Sequence, residues 1–399
     1  MDALTTPSNW QKVRLGDIAE IKRGASPRPI ENPKWFCTNS NVGWVRISDI
    51  SKNSRFLYKT AQKLSKKGIE KSRFVKQNSL IMSICATIGK PIITKIDTCI
   101  HDGFVVFENL KIDLNYLYYF LCYIEKEWLE SGQKGSQVNL NVDLIKNKEV
   151  FYPKDLNEQS AIADILSALD RYLHALRALI LKKESVKKAL SFELLSQRKR
   201  LKGFNQAWQR VKVKDFGIII TGSTPLTQIS EYWNGTISWI TPTDINDNKD
   251  IFNSERKITQ KGLDTIRMIP KNSVLVTCIA SIGKNAILRV NGACNQQINA
   301  IIPNKDFNAD FIYYLMENNK QYLLGKAGVT ATYIISKQVF EEIDFFVPKD
   351  LNEQIAIADI LSALDNEITS LKNKKRQFDN IKKALNHDLM SAKIRVLKK

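Results

Sequence analysis

The residue patterns that would support catalysis are missing from this sequence. Both Ile-Gly-Lys turns lack the first glycine of a GxxxxGK[ST] phosphate loop and are followed by Pro91 and Asn285. There is no Asn-Pro-Pro-Tyr motif for methyl transfer to an amino group, and no Pro-Asp pair that would begin a nuclease-like metal site. The three histidines, His101, His174 and His387, do not have the spacing of metal ligands. These observations predict a protein that is not an enzyme.

Polar and basic residues are instead concentrated in variable loops marked by Gly or Pro. Arg, Lys, Asn and Gln read base edges in the grooves of DNA, whereas Lys, Arg, Ser, Thr and backbone N–H groups contact phosphates. Candidates for such contacts in the N-terminal half are Lys22, Arg23, Arg28, Lys34 and Arg46. Those in the C-terminal half are Thr221, Ser223, Thr224, Tyr232, Asn234 and Thr243. The alternative interpretation of each residue is an ordinary solvated loop position.

The charge of the chain favours a polyanionic partner. Its 60 Lys and Arg residues outnumber 41 Asp and Glu residues, which gives a formal net charge of +19. Such an excess of positive charge is typical of proteins that bind nucleic acid. The N-terminus has no secretory signal, and no apolar run is long enough to span a membrane. The six cysteines form no CxxC pair, so we expect reduced thiols and a cytoplasmic location.

An eighteen-residue segment occurs twice in the sequence. It reads PKDLNEQSAIADILSALD at Pro153–Asp170 and PKDLNEQIAIADILSALD at Pro348–Asp365, so only Ser160 and Ile355 differ. Because a packed core tolerates many apolar exchanges of similar volume, a duplicated fold does not by itself require near-identity. Either the two copies contact the same partners or each other, or the duplication is recent.

Each copy is predicted to begin a long helix. Asp155 and Asp350 are suited to be N-caps, each is followed three residues later by Glu, and no Pro or Gly occurs before Gly203 or the chain end. Helices of about 40 residues would be about 60 Å long and should pack against each other. The alternative is two separate amphipathic helices. Apolar residues recur at heptad spacings at Ile162, Leu166, Leu169, Leu173, Leu176, Ile180, Leu190 and Leu194, and at Ile357, Leu361, Leu364, Ile368, Leu371, Phe378, Leu385 and Leu389.

The segments between these helices form a second, more divergent repeat. Trp10 matches Trp208, and Gly24 matches Gly222. Short β-branched runs punctuated by Gly and Asn predict strands, and the tyrosine-rich stretches 114–129 and 311–324 predict helices. Trp44 and its match Trp239 lie in apolar contexts that are typical of a core. By contrast, RPIENPKWFCTNSN has no counterpart in LTQISEYWNGT.

On these residues the chain closely resembles the specificity subunit of type I restriction–modification systems. The resemblance spans essentially the whole sequence, domain order included. It is carried by the duplicated PKDLNEQ helix start, by the helix ends KKALSFELLSQRKRL and KKALNHDLMSAKIRV, and by ITGSTP and YWNGTISWITPTDI in the C-terminal half. In the N-terminal half, RGASPRP and PKWFC stand in place of GSTP and YWNG. That departure predicts two DNA half-sites of different sequence.

The resemblance implies an α+β fold in which two mixed α/β target-recognition domains are separated by two long helices. The helices would pack as an antiparallel coiled coil, and the repeat would have pseudo-two-fold symmetry like that of duplex DNA. The corresponding segments are 1–152 for the first recognition domain, 153–202 for the first helical region, 203–347 for the second recognition domain and 348–399 for the second helical region.

The resemblance also implies a function and a set of partners. Each domain would read one half of a bipartite, asymmetric site in double-stranded DNA, and the helices would set the spacer and dock two modification subunits. Restriction subunits would complete the complex. The chain itself would need no cofactor or metal, since S-adenosylmethionine, ATP and Mg would be bound by the partner subunits. The expected docking residues are Glu158, Gln159, Ile162, Leu166, Leu169, Glu353, Gln354, Ile357, Leu361 and Leu364.

A different class of protein remains compatible with the same patterns. A coiled-coil scaffold could join two protein-binding domains, and the positive charge would then be incidental. The two hypotheses differ in how DNA binding responds to salt. Phosphate-mediated binding weakens steeply as the salt concentration rises, whereas a protein scaffold would not bind DNA at any salt concentration.

Overall fold

The computed structural model describes residues 8–51, 55–131, 140–246, 248–329 and 333–396. Contacts divide the chain into two compact units. The first unit comprises Met1–Arg177 and Lys374–Lys399, and the second comprises Ala178–Asn373. Each unit therefore contains one variable domain and a part of both long helices. The division of the chain into four segments stays a prediction.

The first unit has two sheets and a pair of short outer strands. Its strands are β1 (Trp10–Arg14), β2 (Glu20–Arg23), β3 (Gly43–Val45), β4 (Phe56–Leu57), β5 (Gln62–Lys63), β6 (Arg73–Val75), β7 (Leu80–Ser83), β8 (Pro91–Thr94), β9 (Thr98–Ile100), β10 (Phe104–Glu108) and β11 (Glu149–Pro153). Its helices are α1 (Leu15–Ile18), α2 (Ile47–Ser51), α3 (Lys66–Glu70), α4 (Leu114–Tyr123), α5 (Glu125–Ser131), α6 (Val142–Asn147) and the beginning of α7 (Leu156–Leu195). A 3₁₀ turn lies at Pro33–Trp35.

The sheets of the first unit are mixed. One has the order β2-β10-β7-β8-β4, with β4 parallel to β8 and the other pairs antiparallel. The other has the order β5-β3-β9-β6, in which β3 and β9 are parallel. Because the carboxyl ends of parallel strands meet at one edge, the loops that follow β3 and β9 are brought together.

The second unit repeats this architecture. Its strands are β12 (Trp208–Lys212), β13 (Gly217–Thr221), β14 (Trp233–Ile240), β15 (Asp250–Ile251), β16 (Lys257–Ile258), β17 (Ser273–Thr277), β18 (Asn285–Leu288), β19 (Gly292–Cys294), β20 (Ile298–Pro303), β21 (Gly328–Val329), β22 (Tyr333–Ile334) and β23 (Asp344–Pro348). Its helices are α8 (Gln260–Leu263), α9 (Ala309–Asn318), α10 (Lys320–Gly325), α11 (Lys337–Glu342) and the beginning of α12 (Leu351–Met390), with 3₁₀ turns at Val213–Phe216 and Ser230–Tyr232.

The strand orders of the second unit correspond to those of the first with two differences among the described strands. The sheet β16-β14-β19 has no strand in the place of β6, and the pair β21–β22 is additional. The sheet β13-β20-β17-β18-β15 corresponds to β2-β10-β7-β8-β4, and the parallel pair β14 and β19 corresponds to β3 and β9. The outer pairs β1–β11 and β12–β23 correspond as well. The predicted α+β internal repeat is therefore confirmed.

Both long helices have the predicted length of 40 residues. In the first unit, Tyr172 of α7 packs on Phe378 of α12 with ring centroids 4.7 Å apart. In the second unit, Lys183 pairs with Glu367 at 2.8 Å. Asp170 meets Lys382 in the first unit, and Lys187 meets Asp365 in the second. Since later positions of α7 meet earlier positions of α12 in each unit, the two helices run antiparallel there.

The helix seam also completes the core of each unit. Ile162 and Leu166 are buried with the sheet residues of the first unit, beside Leu389 from the end of α12. Ile357 and Leu361 occupy the same places in the second unit, beside Leu194 from the end of α7. Each domain is thus packed on the start of one helix and the end of the other.

The helix starts agree with the sequence interpretation. Asp155 and Asp350 do cap the helices, accepting hydrogen bonds from the N–H groups of Asn157 (2.8 Å) and Asn352 (2.9 Å). The helices end at Leu195 and Met390, before Gly203 and before the chain end. Residues in the left-handed conformation, Gln197 (φ 59°) and Ala392 (φ 58°), follow each end. Of the helices among the described residues, none is long and apolar enough to cross a membrane.

Candidate nucleic-acid interface

Three loops of the first unit meet at one edge of its sheets. They follow β2, β3 and β9, and the first of them makes backbone hydrogen bonds to the β9–β10 region, from Gly24 N to Phe104 O (2.9 Å) and from Ala25 N to Ile100 O (3.1 Å). Position 24 has room only for glycine, because a Cβ there would lie 2.0 Å from the carbonyl oxygen of His101. The side chains gathered at this edge, the first loop cluster, are Ser26, Arg28, Arg46, His101 and Asp102.

Asp102 organises the first loop cluster. Its Oδ1 accepts a hydrogen bond from Ser26 Oγ (2.9 Å), and its Oδ2 accepts one from the Arg28 guanidinium (3.0 Å). Arg23 donates to the Asp102 carbonyl oxygen (2.8 Å). Arg46 is held from its backbone, because its N–H donates to the carboxylate of buried Asp49 at 2.9 Å. The cluster is therefore polar, charged and fixed at its base.

The second unit has the same backbone frame at the matching loops. Gly222 N donates to Ile298 O (3.0 Å), Ser223 N donates to Cys294 O (2.8 Å), and a Cβ on Gly222 would lie 2.1 Å from Asn295 O. Thr241 N donates to the Asp244 carboxylate at 2.8 Å, as Arg46 does to Asp49. Thr224 is hydrogen-bonded to Gln296 and Thr241 to Thr243, and Asn295 N donates to the carbonyl oxygen of Ile240. These five residues are named the second loop cluster.

The two clusters differ in chemistry where their backbones agree. The Ser26–Asp102 hydrogen bond is replaced by one from Thr224 Oγ1 to Gln296 Oε1 at 2.6 Å. Thr241 stands where the first unit has Arg46, and it shares a 2.7 Å hydrogen bond with Thr243. The first cluster therefore contains two guanidinium groups and the Asp102 carboxylate. The five side chains of the second cluster are hydroxyl and amide groups, and Thr241 Oγ1 donates to the neighbouring Asp244 carboxylate at 2.7 Å.

The charge state of the first cluster follows from its surroundings. Burial lowers the pKa of His101, the charge of Arg46 acts in the same direction, and Asp102 opposes them. Burial alone would raise the pKa of Asp102, but the hydrogen bond from Ser26 and the charge of Arg28 lower it overall. At neutral pH the cluster therefore holds a neutral imidazole and an ionised carboxylate.

This arrangement predicts a pH dependence of stability. As pH falls from 6.5 toward the lowered pKa of folded His101, the unfolded chain binds a proton that the folded imidazole does not, so the free energy of unfolding should decrease. His101→Asn introduces the residue found at the matching position of the second unit and should remove this contribution. Denaturant titrations of both proteins across this window test the expectation. Equal slopes with pH in the two proteins would contradict it.

The candidates predicted from sequence are only partly brought together. Arg28 and Arg46 lie in the first cluster, and Thr224 and Thr243 lie in the second, with Arg23 and Ser223 beside them. Lys22 instead lies on β2, where it pairs with Glu20 (2.9 Å) and Glu108 (2.7 Å).

The remaining candidates have other surroundings. Lys34 lies over the Trp35 ring, with its Nζ 4.3 Å from the centroid. Thr221 donates a hydrogen bond to Asn299 Oδ1 (2.7 Å) within the sheet. Asn234 lies in β14 in the left-handed conformation, with φ 61°. Tyr232 ends the 3₁₀ turn Ser230–Tyr232. These five predicted contacts with DNA, Lys22 included, stay untested predictions, and the geometry favours the residues of the two clusters over them.

One sequence interpretation is wrong in structural terms. RPIENPKWFCTNSN does have a counterpart in LTQISEYWNGT, because both contain a 3₁₀ turn, at Pro33–Trp35 and Ser230–Tyr232. The carbonyl oxygens of Trp35 and Tyr232 each accept a backbone hydrogen bond, from Ser65 (2.8 Å) and Thr259 (3.0 Å). The backbone is retained while the side chains have diverged.

Sequence reasoning missed Ser26, His101, Asp102, Asn295 and Gln296. A signal for the last four was present, because the two Ile-Gly-Lys turns are separated by 194 residues and the same offset aligns His101-Asp102 with Asn295-Gln296. Trp44 and Trp239 are buried, as predicted.

The repeated helix start joins each domain to its helix. Glu158 is 2% exposed and accepts hydrogen bonds from Trp10 Nε1 (3.2 Å) and Asn9 Nδ2 (2.8 Å). Glu353 is 1% exposed and accepts hydrogen bonds from Trp208 Nε1 (3.2 Å) and Arg200 Nε (3.0 Å). These glutamates therefore bind the recognition domain rather than completing a capping box.

The docking residues expected from sequence are mostly inaccessible. Of the ten, only Leu169 and Leu364 are partly exposed, and the other eight are buried. Gln159, for example, accepts the N–H of Asp113 at 2.7 Å and donates to the Pro153 carbonyl oxygen at 2.8 Å. Since buried side chains cannot contact a second protein directly, a docking surface has to be sought at the exposed positions of the same segments.

A further joint lies about three helical turns along each long helix, at Asp170 and Asp365. Tyr119 donates a hydrogen bond to Asp170 Oδ2 (2.6 Å), and the same carboxylate pairs with Lys382. In the second unit, Tyr314 donates to Asp365 (2.7 Å), which pairs with Lys187. The repeated segment thus makes the same contacts in both units.

Comparison with known proteins agrees with this duplicated architecture. The family described as type I restriction modification DNA specificity domain matches residues 7–183 and again 205–378, which together make up most of the chain. The chain belongs to this family. The two family domains coincide with the two repeats, so each match contains one loop cluster and one helix start.

Individual relatives of the family match to different extents. The chain is 35% identical over 182 residues to the type I restriction enzyme MjaIX specificity subunit of Methanocaldococcus jannaschii, covering 44% of this chain and 41% of that protein. This match therefore spans less than half of the relative's length. The MjaVIII specificity subunit of the same organism is 25% identical over 428 residues, covering 99% of this chain and 95% of the relative.

A solved structure shares the fold. The type I restriction–modification S subunit from M. genitalium superimposes with a TM-score of 0.63 at 14% identity, covering 97% of both chains. At this identity the likeness concerns the fold alone.

Proposed function

We propose that this protein is the DNA-specificity subunit of a type I restriction–modification complex and that each unit reads one half of a bipartite, asymmetric site in double-stranded DNA. The observation that carries the proposal is the pair of loop clusters. Their backbones agree, from the hydrogen bonds of Gly24 and Gly222 onward, while their side chains differ in charge and in hydrogen-bonding groups. A retained frame with divergent polar side chains is suited to two readers of different base sequences.

The charge of the chain supports DNA as the ligand. A net charge of +19 favours association with a polyanion, and its effect is screened by salt. The first cluster adds guanidinium groups from Arg28 and Arg46, which match the acceptor groups of guanine and of phosphate. A scaffold that joins two protein-binding domains would have no need of either feature.

The long helices are proposed to set the spacer between the half-sites and to dock two modification subunits. Identical residues are exposed at matching positions of the two helix starts, as Asn157 and Asn352, Asp164 and Asp359, and Ala168 and Ala363. Packing within the chain does not require exposed positions to stay identical. A partner that binds each helix start in the same way would require it.

Catalysis is assigned to the partners. The modification subunits would supply adenine methylation with S-adenosylmethionine, and restriction subunits would supply ATP- and Mg-dependent steps, so that this chain needs no cofactor of its own. The role of this chain would be to bind the DNA site and to orient the modification subunits on it. The supporting observation is the sequence, which contains neither a phosphate-binding loop nor an amino-methyltransferase motif.

A methylome tests this function. The chain is co-expressed with its modification subunit in a host that lacks DNA methylation, and the modified bases are read by sequencing. We expect methyladenine in both halves of a split, asymmetric motif, and no such motif in the matched culture that lacks this chain. Replacement of the first recognition domain by a different one should change only one half of the methylated motif.

Two outcomes would contradict the proposal. No new methylation, with the modification subunit present and bound, would favour the protein scaffold instead. Binding of the assembled complex to DNA should also weaken steeply as salt is raised, and an interaction unaffected by salt would show that phosphate contacts are not involved.

A further inference from the structure

Two turns at the loop edges have kept the same sequence while their neighbours have diverged. They join β7 to β8 and β17 to β18, and they read Ala86-Thr-Ile-Gly-Lys90 and Ala280-Ser-Ile-Gly-Lys284. The one exchange between them, Thr87 for Ser281, keeps a hydroxyl group. The proposed function assigns different sequences to the two half-sites and therefore does not explain a match at this position.

Each turn adjoins one of the loops of its cluster. In the first unit, Ile84 N donates a hydrogen bond to Gly103 O (2.8 Å), which lies in the loop between β9 and β10. In the second unit, Cys278 N donates to Gln297 O (2.8 Å), in the loop between β19 and β20. The turns thus lie at the same edge of the sheets as the side chains assigned to base recognition.

The backbone of the two turns is fixed in the same conformation. Ala86 and Ala280 are exposed, and both have left-handed φ angles, 59° and 60°. The hydroxyl groups of Ser83 and Thr277, at the ends of β7 and β17, donate to the carbonyl oxygen of the residue that follows each alanine. Left-handed backbone is unfavourable for residues with a Cβ, and strained positions of this kind cluster at functional sites. The shape of the turns is therefore retained together with their sequence.

The polar groups of the turns are available to a ligand. Lys90 is half-buried and Lys284 is exposed, and neither ammonium group forms an ion pair or a hydrogen bond within the described ranges. Lys90 acts on Glu125 through its charge alone. The hydroxyl groups of Thr87 and Ser281 likewise donate no hydrogen bond to any residue that the structure describes. Each turn therefore offers a positive charge and a hydroxyl donor in one fixed frame.

We infer that each turn binds a phosphate of the DNA backbone, in the same way in the two half-sites and whatever their base sequence. Lysine ammonium groups and Ser or Thr hydroxyl groups are among the usual phosphate contacts, which fix the position of a protein on the duplex. The sugar–phosphate backbone is common to both half-sites, so it would require the two turns to match while the adjacent side chains differ. The inference rests on the proposed function and deepens it, because it separates the residues that position the DNA from those that read it.

A protein partner fits these turns less well than DNA does. Two copies of one subunit, bound in the same way, would also require matching residues. However, the exposed side chains of the turns are small or carry a lysine charge, and they include none of the aromatic and arginine side chains that anchor most protein interfaces. A positive charge next to a hydroxyl group is better suited to a phosphate.

Four pairs of variants separate a local contact from the general charge of the chain. Lys90→Gln and Lys284→Gln remove the two charges singly and, in a double variant, together. Lys111→Gln and Lys305→Gln are the controls, since these exposed lysines follow β10 and β20 and so lie at the strand ends opposite the loops that precede those strands. Lys90→Arg and Lys284→Arg retain the charge, and Thr87→Val and Ser281→Ala remove the hydroxyl groups.

The affinity of the complex with the modification subunit for DNA is measured over a series of salt concentrations. Loss of one lysine contact should reduce the slope of log affinity against log salt by about 1, and loss of both by about 2. Between about 50 and 200 mM salt, the affinity of each single glutamine variant should therefore fall about 3.5-fold less than that of the wild-type complex. The arginine, hydroxyl and control variants should keep the wild-type slope, with the hydroxyl variants weaker at every salt concentration. The methylated motif should be unchanged in both halves.

The inference is wrong if the glutamine variants at Lys90 and Lys284 keep the slope of their controls. It is also wrong if either variant changes a base of the motif, which would identify a reading residue, or releases the modification subunit, which would identify a protein contact. In each case a split motif written by the wild-type chain would leave the proposed function intact. Absence of that motif from the wild-type methylome would refute both.

Discussion

Gly24→Ala should abolish recognition of the first half-site and leave the second recognition domain intact. The added Cβ would lie 2.0 Å from the carbonyl oxygen of His101 and 2.7 Å from that of Ile100, distances that no Cβ tolerates against backbone. The loop would have to move, which breaks the Gly24 N–H hydrogen bond to Phe104 and displaces Ser26 and Arg28 from Asp102. Overpacking of this kind typically costs about 1–3 kcal/mol of stability.

Gly222→Ala is the matched variant in the second unit, where the Cβ would lie 2.1 Å from the Asn295 carbonyl oxygen. It should abolish recognition of the other half-site instead. Gly325→Ala serves as the neutral control, since a Cβ there meets no atom within 4 Å. Methylation of the full site and of each half, together with denaturant unfolding, measures the effects. If Gly24→Ala kept both its stability and its motif, the close packing of this loop would not position the reading side chains.

The long helices were predictable because their signals are local. An aspartate cap, a heptad pattern and the absence of Pro and Gly depend on neighbouring residues alone, and the observed helices have the predicted 40 residues. Their ends were not predictable. Gln197 and Ala392 adopt the left-handed conformation that usually selects Gly or Asn, so their sequence carries no stop signal.

The burial of Glu158 and Glu353 could not be predicted from sequence. A glutamate in the first turn of a helix is normally solvated, where it complements the helix dipole. These two are buried because Trp10 and Trp208, each about 150 residues earlier in the chain, lie against them on β1 and β12. Only tertiary packing creates such a contact, and it turned the expected docking surface into an intrachain joint.

The sequence predicted that the loop clusters would be polar, but it did not predict which residues would form them. The polar residues of Gly-marked loops that the sequence singles out include Arg28, Arg46 and Thr224, which the structure places in the loop clusters. Asp102 and Gln296 follow the short strands β9 and β19, whose parallel pairing with β3 and β14 is a contact between distant parts of the chain. Without that pairing, nothing in the sequence distinguished them from other polar loop residues such as Lys22.

Glu353→Ala should destabilise the second unit although it removes no apolar surface from the seam. The substitution leaves the buried Trp208 Nε1–H without an acceptor, which costs about 1–3 kcal/mol. It also leaves Arg200 without its carboxylate partner. Glu353→Gln should cost less, because the amide oxygen still accepts a hydrogen bond from the indole. Denaturant unfolding compares the two variants with the wild-type chain.

Glu367→Ala is the matched control on the same helix. Glu367 is 44% exposed and pairs with Lys183 at 2.8 Å, so its loss should cost at most about 1 kcal/mol. If Glu353→Ala cost no more than Glu367→Ala, the contact with Trp208 would contribute little to holding the domain on the helix. The expected excess, repeated by Glu158→Ala in the first unit, would explain why the buried half of the duplicated segment is retained. Intrachain fit would then account for Glu158 and Glu353, and only the exposed identities, such as Asp164 and Asp359, would need a partner protein to explain them.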